Sequence, residues 1–356
     1  VALSDLVLSH FRSHARTRLS FDGRPVVLFG PNGAGKTNVL EAISLLSPGR
    51  GLRRAAPEDL GRKPEGLGWK IVARLCGHDL ETWSEGAGRF VRLDGKAATQ
   101  PMLGRVCPVL WLVPAMDRLW IEAPEGRRRF LDRIALSFFP EHAEAALDYD
   151  KAMRERNRLL RDGISDAHWY GALEARMAGA AVRVESHREQ ALARLNLALV
   201  GAEGVFPAPK LGLEAPEPWD DLARSLAQGR ARDLAAGRTL IGPHRTDLIA
   251  HWPLKGIAAA QASTGEQKAM LISVILANAR ALAETGGARP VVLLDEVAAH
   301  LDPQRRAALY DGLCELECHA FLTGTEESLF QHLDTRAQRF MVEDRDGSSV
   351  IEQGAP

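Results

Sequence analysis

The chain has 356 residues, 46% of them hydrophobic and 26% charged, with a formal net charge of -1. That length suggests about two domains, since single cores stop growing near ~250–300 residues, and the near-zero charge argues against a protein that coats nucleic acid through bulk charge while leaving local basic patches open. No apolar run approaches the ~20 residues of a membrane helix, and "VALSDLVLSHFRSHAR" lacks the basic-then-apolar layout of an export signal, so neither a membrane nor export is expected.

Residues 24–29, "RPVVLF", read as a short apolar strand running into "GPNGAGKT" (30–37), which fits the pattern G-x-x-x-x-G-K-[ST] at Gly30, Gly35, Lys36 and Thr37. Val39, Leu40, Ile43 and Leu46 follow at helical spacing. Strand, glycine-rich loop and helix together let backbone N–H groups wrap phosphates at a helix N-terminus. Gly30, Pro31, Asn32, Gly33, Ala34, Gly35, Lys36, Thr37 and Asn38 are therefore candidate ATP-binding residues. Lys36 is expected to reach the β and γ phosphates, and the Thr37 hydroxyl to bind Mg2+.

From 66 to 100 the pattern becomes strand-like, with an Asp94-Gly95 turn signal, and predicts an antiparallel sheet. Over 140–200 two long helices are expected, separated by "GISD", with Leu173, Met177, Ala181 and Val184 on one face of the second. Arg154, Arg158 and Arg161 share a helical face and are candidate DNA contacts, against the alternative of a solvated surface. Arg127, Arg128 and Arg129 cluster separately and suit either phosphate contact or salt bridges. The proline-rich "FPAPKLGLEAPEPW" (206–219) marks a returning loop. The expected layout is an ATPase core over 1–106, a helical lid or arm over 107–235, and the rest of the core over 236–356.

Near the end, "RPVVLLDEVAAHLD" (289–302) holds four consecutive apolar residues, Val291 to Leu294, typical of a buried parallel strand. Asp295 at its end is placed to hold magnesium, and Glu296 to polarise the water that attacks the γ-phosphate. Before it, "QASTGEQKAMLISVILANARA" (261–281) passes from small polar residues into an apolar helix. "STGEQ" resembles the signature motif of ABC-type ATPases: Ser263, Thr264, Gly265 and Gln267 stand at a helix N-terminus, where the macrodipole favours an anion. In that family the signature helix binds the γ-phosphate of ATP held by a second subunit.

Taken in order, these segments resemble the RecF family of ATPases, related to the heads of Rad50 and SMC proteins. "HFRSH" (10–14) is similar to the N-terminal motif whose arginine, here Arg12, contacts a nucleotide phosphate. "GPNGAGKTNVLEAISLLSPGRGLR" (30–53), "APEGRRRFLDR" (123–133) and "TLIGPHRTDL" (239–248) resemble further RecF segments, and the likeness covers most of the chain. It implies an ABC-type α/β head with an inserted helical arm. It also implies an ATP-dependent homodimer acting on DNA at gap junctions, and partnership with RecO and RecR in loading recombinase. ABC transporters carry a histidine after the strand that follows Asp-Glu; "FLTGT" offers Thr323 and Thr325 instead, which suggests slow hydrolysis. "VLWLVPAMDRLW" (109–120) has no glutamine for a Q-loop, and Asp117 is the nearest polar stand-in. Two rival readings are the ATPase subunit of another complex such as a transporter, which needs a coupling partner and a switch histidine that the sequence does not show, and a small-molecule kinase, which does not need the signature segment. The four cysteines fit a reducing, cytoplasmic protein, with Cys314 and Cys318 one helical turn apart as structural thiols and not as zinc ligands.

Overall fold

The computed structural model describes residues 2–63, 65–86, 88–200, 204–286, 289–316 and 318–354. The chain divides into two compact units, one formed by residues 1–118, 198–209 and 262–356 and the other by 119–197 and 210–261.

The first unit opens with β1 (Leu3–Phe11), β2 (His14–Ser20), β3 (Val26–Phe29) and α1 (Lys36–Ser44). β4 (Trp69–Leu75), β5 (His78–Ser84), β6 (Phe90–Leu93), β7 (Lys96–Ala98) and β8 (Val109–Leu112) come next. One six-stranded sheet, ordered β2-β1-β4-β5-β6-β7, is antiparallel throughout. Its strands β4 to β7 are those expected over 66–100; β1 and β2 complete it. β1 hides its alternation because a register shift between Leu3 and Asp5, and a left-handed His10 (φ 49), break the period of two, and Leu3, Leu6, Leu8 and Phe11 are all fully buried.

The second unit begins with α2 (Pro124–Phe138), α3 (His142–Arg161) and α4 (Ala167–Val200). β9 (Lys210–Glu214), α5 (Leu222–Gln228), α6 (Arg230–Ala236), β10 (Asp247–Trp252) and β11 (Ile257–Ala258) complete it. Residues 236–261 group here because β10 pairs with β9 along Asp247–Glu214 to His251–Lys210. Tyr149 and Ala152 of α3 pack with Met177, Ala180 and Ala181 of α4 and with Leu222 and Leu226 of α5. Beside that apolar cluster Arg156 is fully buried, donating to Glu174, Asp233 and Thr239. Removing both acids would strand a buried cation, at a cost of ~3–5 kcal/mol.

The chain then completes the first unit with α7 (Thr264–Glu284), β12 (Val291–Leu294), α8 (Pro303–Glu315), β13 (His319–Gly324), β14 (Gln338–Arg345) and β15 (Ser348–Gln353). The second six-stranded sheet is ordered β15-β14-β3-β13-β12-β8, parallel except for the β14–β15 hairpin. Every residue of β12 is buried, as a central parallel strand requires. β13 lies between β3 and β12, so its C-terminal end falls between the glycine-rich loop that leaves β3 and the acidic pair that leaves β12. That placement builds the site.

Candidate nucleotide site

The loop after β3 reaches α1 through glycines that no other residue could replace at two points. Gly30 has φ 146 and Gly35 has φ 105, both outside the range comfortable for L side chains. A first side-chain carbon at Gly30 would also strike the Val342 carbonyl, and at Gly35 the Ser349 hydroxyl. Gly33 (φ 84) faces open space. The floor of the loop is tied down by Ser349, which bonds the Ala34 carbonyl at 2.6 Å and Ser13 at 2.6 Å. Asn38 donates to the same Ser13 at 2.7 Å, and His14 meets the Gly35 carbonyl at 3.3 Å. Burial pushes the His14 imidazole down to about 4, so it stands neutral beneath the loop.

Lys36 is buried and donates to the carbonyls of Gly30 (2.7 Å) and Pro31 (2.8 Å). Burial lowers its pKa, and the charges of Glu296 and Asp295 pull it back up. The Thr37 hydroxyl donates to Asp295 Oδ1 at 2.8 Å, which brings the two candidate magnesium ligands together across 258 positions of sequence. Thr323 Oγ1 donates to the same oxygen at 2.8 Å and accepts the Glu296 N–H at 2.9 Å. A buried threonine on β13 thus pins both acidic residues of "LLDE", at the level where a transporter would carry its histidine. Thr325 is exposed. Glu296 itself adopts φ 53, a left-handed backbone that costs an ordinary residue on the order of 1 kcal/mol. A hydroxyl and a carboxylate sharing one point form the all-oxygen donor set that suits a hard divalent cation.

Arg12 is engaged more tightly than the sequence indicates. Its backbone has φ 53, its N–H donates to the Leu60 carbonyl, and its guanidinium forks onto Glu41 at 2.9 and 2.7 Å. Arg53 joins the same carboxylate at 3.1 Å and Asn38 Oδ1 at 2.6 Å. Glu41 is fully buried in α1, one turn beyond Thr37, yet carries no motif signal, since a glutamate inside a helix looks like surface.

Ser263 caps α7 in a reciprocal box: its hydroxyl accepts the Glu266 N–H at 3.4 Å, and Glu266 accepts the Ser263 N–H at 2.9 Å. The S-x-x-E spacing carries that signal in the sequence. Ser263, Thr264 and Gly265 are exposed at the helix N-terminus. Gln267, by contrast, is buried and donates to the Ala262 carbonyl at 2.9 Å. Lys268, also buried, pairs with Asp117 at 3.1 Å and ties α7 to the segment after β8.

Of the basic candidates in the second unit, Arg127 forks onto Asp247 and donates to the Glu122 carbonyl at 2.7 Å, while Arg129 pairs with Glu125. Arg154 and Arg158 are exposed and lie 3.9 and 3.8 Å from Asp150 and Asp162 of their own helix region. Cys318 is buried and pushed up to about 12, and His319 accepts the Leu3 N–H on Nδ1 at 3.2 Å.

A family described as AAA domain matches residues 5–61. The DNA replication and repair protein RecF of Rhizobium etli is 45% identical, over 97% of this chain and 98% of that protein. A solved structure of the recombination mediator protein RecF with ATP, in the RecFOR pathway, aligns with a TM-score of 0.84 at 22% identity, covering 99% of this chain and 98% of the other. The SMC head bound to the C-winged helix domain of ScpA aligns at 0.58 and 15% identity, covering 100% and 98%. The fold is that of an ABC-type α/β ATPase head with a mainly helical second unit.

Proposed function

The chain belongs to the RecF family of DNA replication and repair proteins, and from that premise we propose that it is an ATP-switched DNA-binding protein of recombinational gap repair and replication restart. ATP binds the 30–38 loop of one copy and meets Arg12 there, and Ser263, Thr264 and Gly265 of a second copy close over its γ-phosphate. Mg2+, held by Thr37 and Asp295, supplies charge neutralisation at the β and γ phosphates. Lys36 exchanges its loop carbonyls for phosphate oxygens, and Glu296 orients the attacking water and takes its proton. Hydrolysis is slow, because Thr323 positions Asp295 and Glu296 but offers no imidazole to the γ-phosphate. The dimer grips duplex DNA beside a single-stranded gap, works with RecO and RecR to load recombinase in the cytoplasm, and lets go when ATP is spent; DNA stimulates the turnover.

The observation that carries this reading is the 2.8 Å bond from Thr37 to Asp295, which joins the phosphate loop and the acidic strand end in one site. The test is sedimentation with labelled ATP, using the wild-type chain and Ser263→Arg. The substitution puts a bulky cation at the exposed cap of α7 and leaves Lys36, Thr37 and Asp295 intact. ATP binding is expected to persist while ATP-driven dimerisation and tight DNA binding are lost. A variant that still dimerises on ATP overturns the two-copy sandwich. Wild-type ATPase activity indifferent to gapped DNA removes the DNA switch.

A further inference from the structure

Two carbonyls of the phosphate loop are held from below by buried side chains outside the glycine-rich run. The Ala34 carbonyl accepts the Ser349 hydroxyl at 2.6 Å, and the Gly35 carbonyl meets His14 Nε2 at 3.3 Å. The proton order is fixed. A hydroxyl carries one proton, so Ser349, which gives its own to Ala34, accepts from Ser13 at 2.6 Å. Ser13 in turn accepts from Asn38 Nδ2 at 2.7 Å, and Arg53 on Asn38 Oδ1 at 2.6 Å sets which way that amide faces. The chain therefore runs one way, from Asn38 through Ser13 and Ser349 to the Ala34 carbonyl. The neutral His14 ring likewise has a single N–H: with Nε2 donating to Gly35, Nδ1 accepts the Thr17 hydroxyl at 2.9 Å.

A trans peptide is planar, so its C=O and the N–H that follows point to opposite sides. Fastening the Ala34 and Gly35 carbonyls to the floor turns the Gly35 and Lys36 N–H groups to the other side, and neither has an acceptor among the described residues. We propose that Ser349 and His14 are positioning residues for nucleotide binding, which aim these two consecutive N–H groups at a phosphate oxygen before the nucleotide arrives. The role rests on the reading that the 30–38 loop holds ATP. Adjacent N–H groups turned to one side make a concave nest for an anion, and donors fixed in advance need no rearrangement on binding. Ser349 stands outside every segment that marks the site in the sequence; β15 brings it there, where its own N–H also donates to the Ser13 carbonyl at 2.9 Å.

The test is ATPase kinetics and calorimetry on the full chain, at a temperature where urea midpoints show every variant folded. Ser349→Ala should raise KM for ATP, and Kd for ATP and ADP alike, by about three- to tenfold, the scale of one hydrogen bond. Because the nest holds the same phosphate before and during the reaction, kcat should stay within about twofold. His14→Leu should repeat this pattern, and His14→Gln, whose amide N–H can stand in for Nε2–H, should recover most of the affinity. A role in folding alone would lower the active fraction, and so kcat, at unchanged KM. That result, or a wild-type KM in either Ser349→Ala or His14→Leu, overturns the proposal. Lys36→Met keeps the two possible failures apart. If it binds ATP as tightly as the wild type, the loop is not the nucleotide site; if it loses ATP while Ser349→Ala and His14→Leu bind normally, only the positioning role falls.

Discussion

In the first unit Arg12 and Arg53 converge on one fully buried carboxylate, Glu41, whereas in the second Arg154 and Arg158 lie exposed near acids a single helical turn away. The physical difference is solvent. A charge-assisted bond to a buried partner is worth about 1.5–3 kcal/mol and must be kept, because its loss leaves an unpaired charge out of water. An exposed pair one helical turn apart is worth about 0.3–0.5 kcal/mol, and water replaces it readily. Arginines of the first kind hold the loop and α1 in shape and can meet a phosphate only while keeping that partner, whereas those of the second can leave their partners for a phosphate at little cost. Counting arginines would have treated the two sets alike.

The sharpest way to break this contrast is Glu41→Ala. Two guanidiniums lose their common acceptor, and we expect a loss on the order of 3 kcal/mol in urea unfolding, tempered by the partial exposure of Arg12 and Arg53. A change below about 0.5 kcal/mol would place Glu41 with the surface acids. Lys36→Met comes next. It removes a cation that donates to two loop carbonyls and feels the charges of Glu296 and Asp295, so stability should move by less than about 1 kcal/mol while ATP affinity falls about 100-fold or more, read by calorimetry.

His14 gives a pH test of the same buried floor. Its folded pKa is about 4 against an ordinary 6.5, so the unfolded chain takes up a proton first as pH falls. Its contribution is intact above about 6.5 and is lost on the way down to about 4, at up to about 1.4 kcal/mol per pH unit. Burial pushes His244 and His319 down to about 4 as well, so urea midpoints between pH 6.5 and 5.5 should fall with all three imidazoles, and His14→Asn should reduce that slope by up to about 1.4 kcal/mol per pH unit without abolishing it. An equal slope in both proteins would assign the titration elsewhere. The smallest effect on stability belongs to the exposed stripe. Arg154, Arg158 and Arg161 replaced together by alanine should cost less than about 1 kcal/mol in folding. If all three meet phosphates, the log–log salt slope of duplex binding should flatten by up to about 2.7 units. An unchanged slope and affinity would return them to solvent.

The parts legible in the sequence were those whose chemistry is contiguous. "GPNGAGKT" is a run of neighbours, and the glycines it demands are the ones that Val342 and Ser349 leave no room to replace. β12 announced itself by four apolar residues, and Ser263 by a glutamate three positions on. The parts that stayed hidden depend on distant partners. Ser13 and Ser349 are 336 positions apart and share a side-chain and a backbone hydrogen bond; neither has a neighbour that hints at the other. Thr323 was conspicuous only as the residue standing in for a histidine, and its grip on Asp295 needed β13 to lie between β3 and β12. The signature pattern names Gln267 but not the way its side chain turns, and its bond to the Ala262 carbonyl was not legible in it.

The floor of the loop has a consequence for how the protein is made. Ala34 leaves the ribosome early, but the serine that fastens its carbonyl is 315 positions later. At ~5–20 residues per second the loop waits roughly 15–60 s for its clasp. β3 waits almost as long, since the strands that flank it, β13 and β14, begin only at His319 and Gln338. During that interval a nascent Val26–Phe29 is an apolar strand with two open edges, the kind of segment that invites wrong pairing and calls for a chaperone until the last strands arrive.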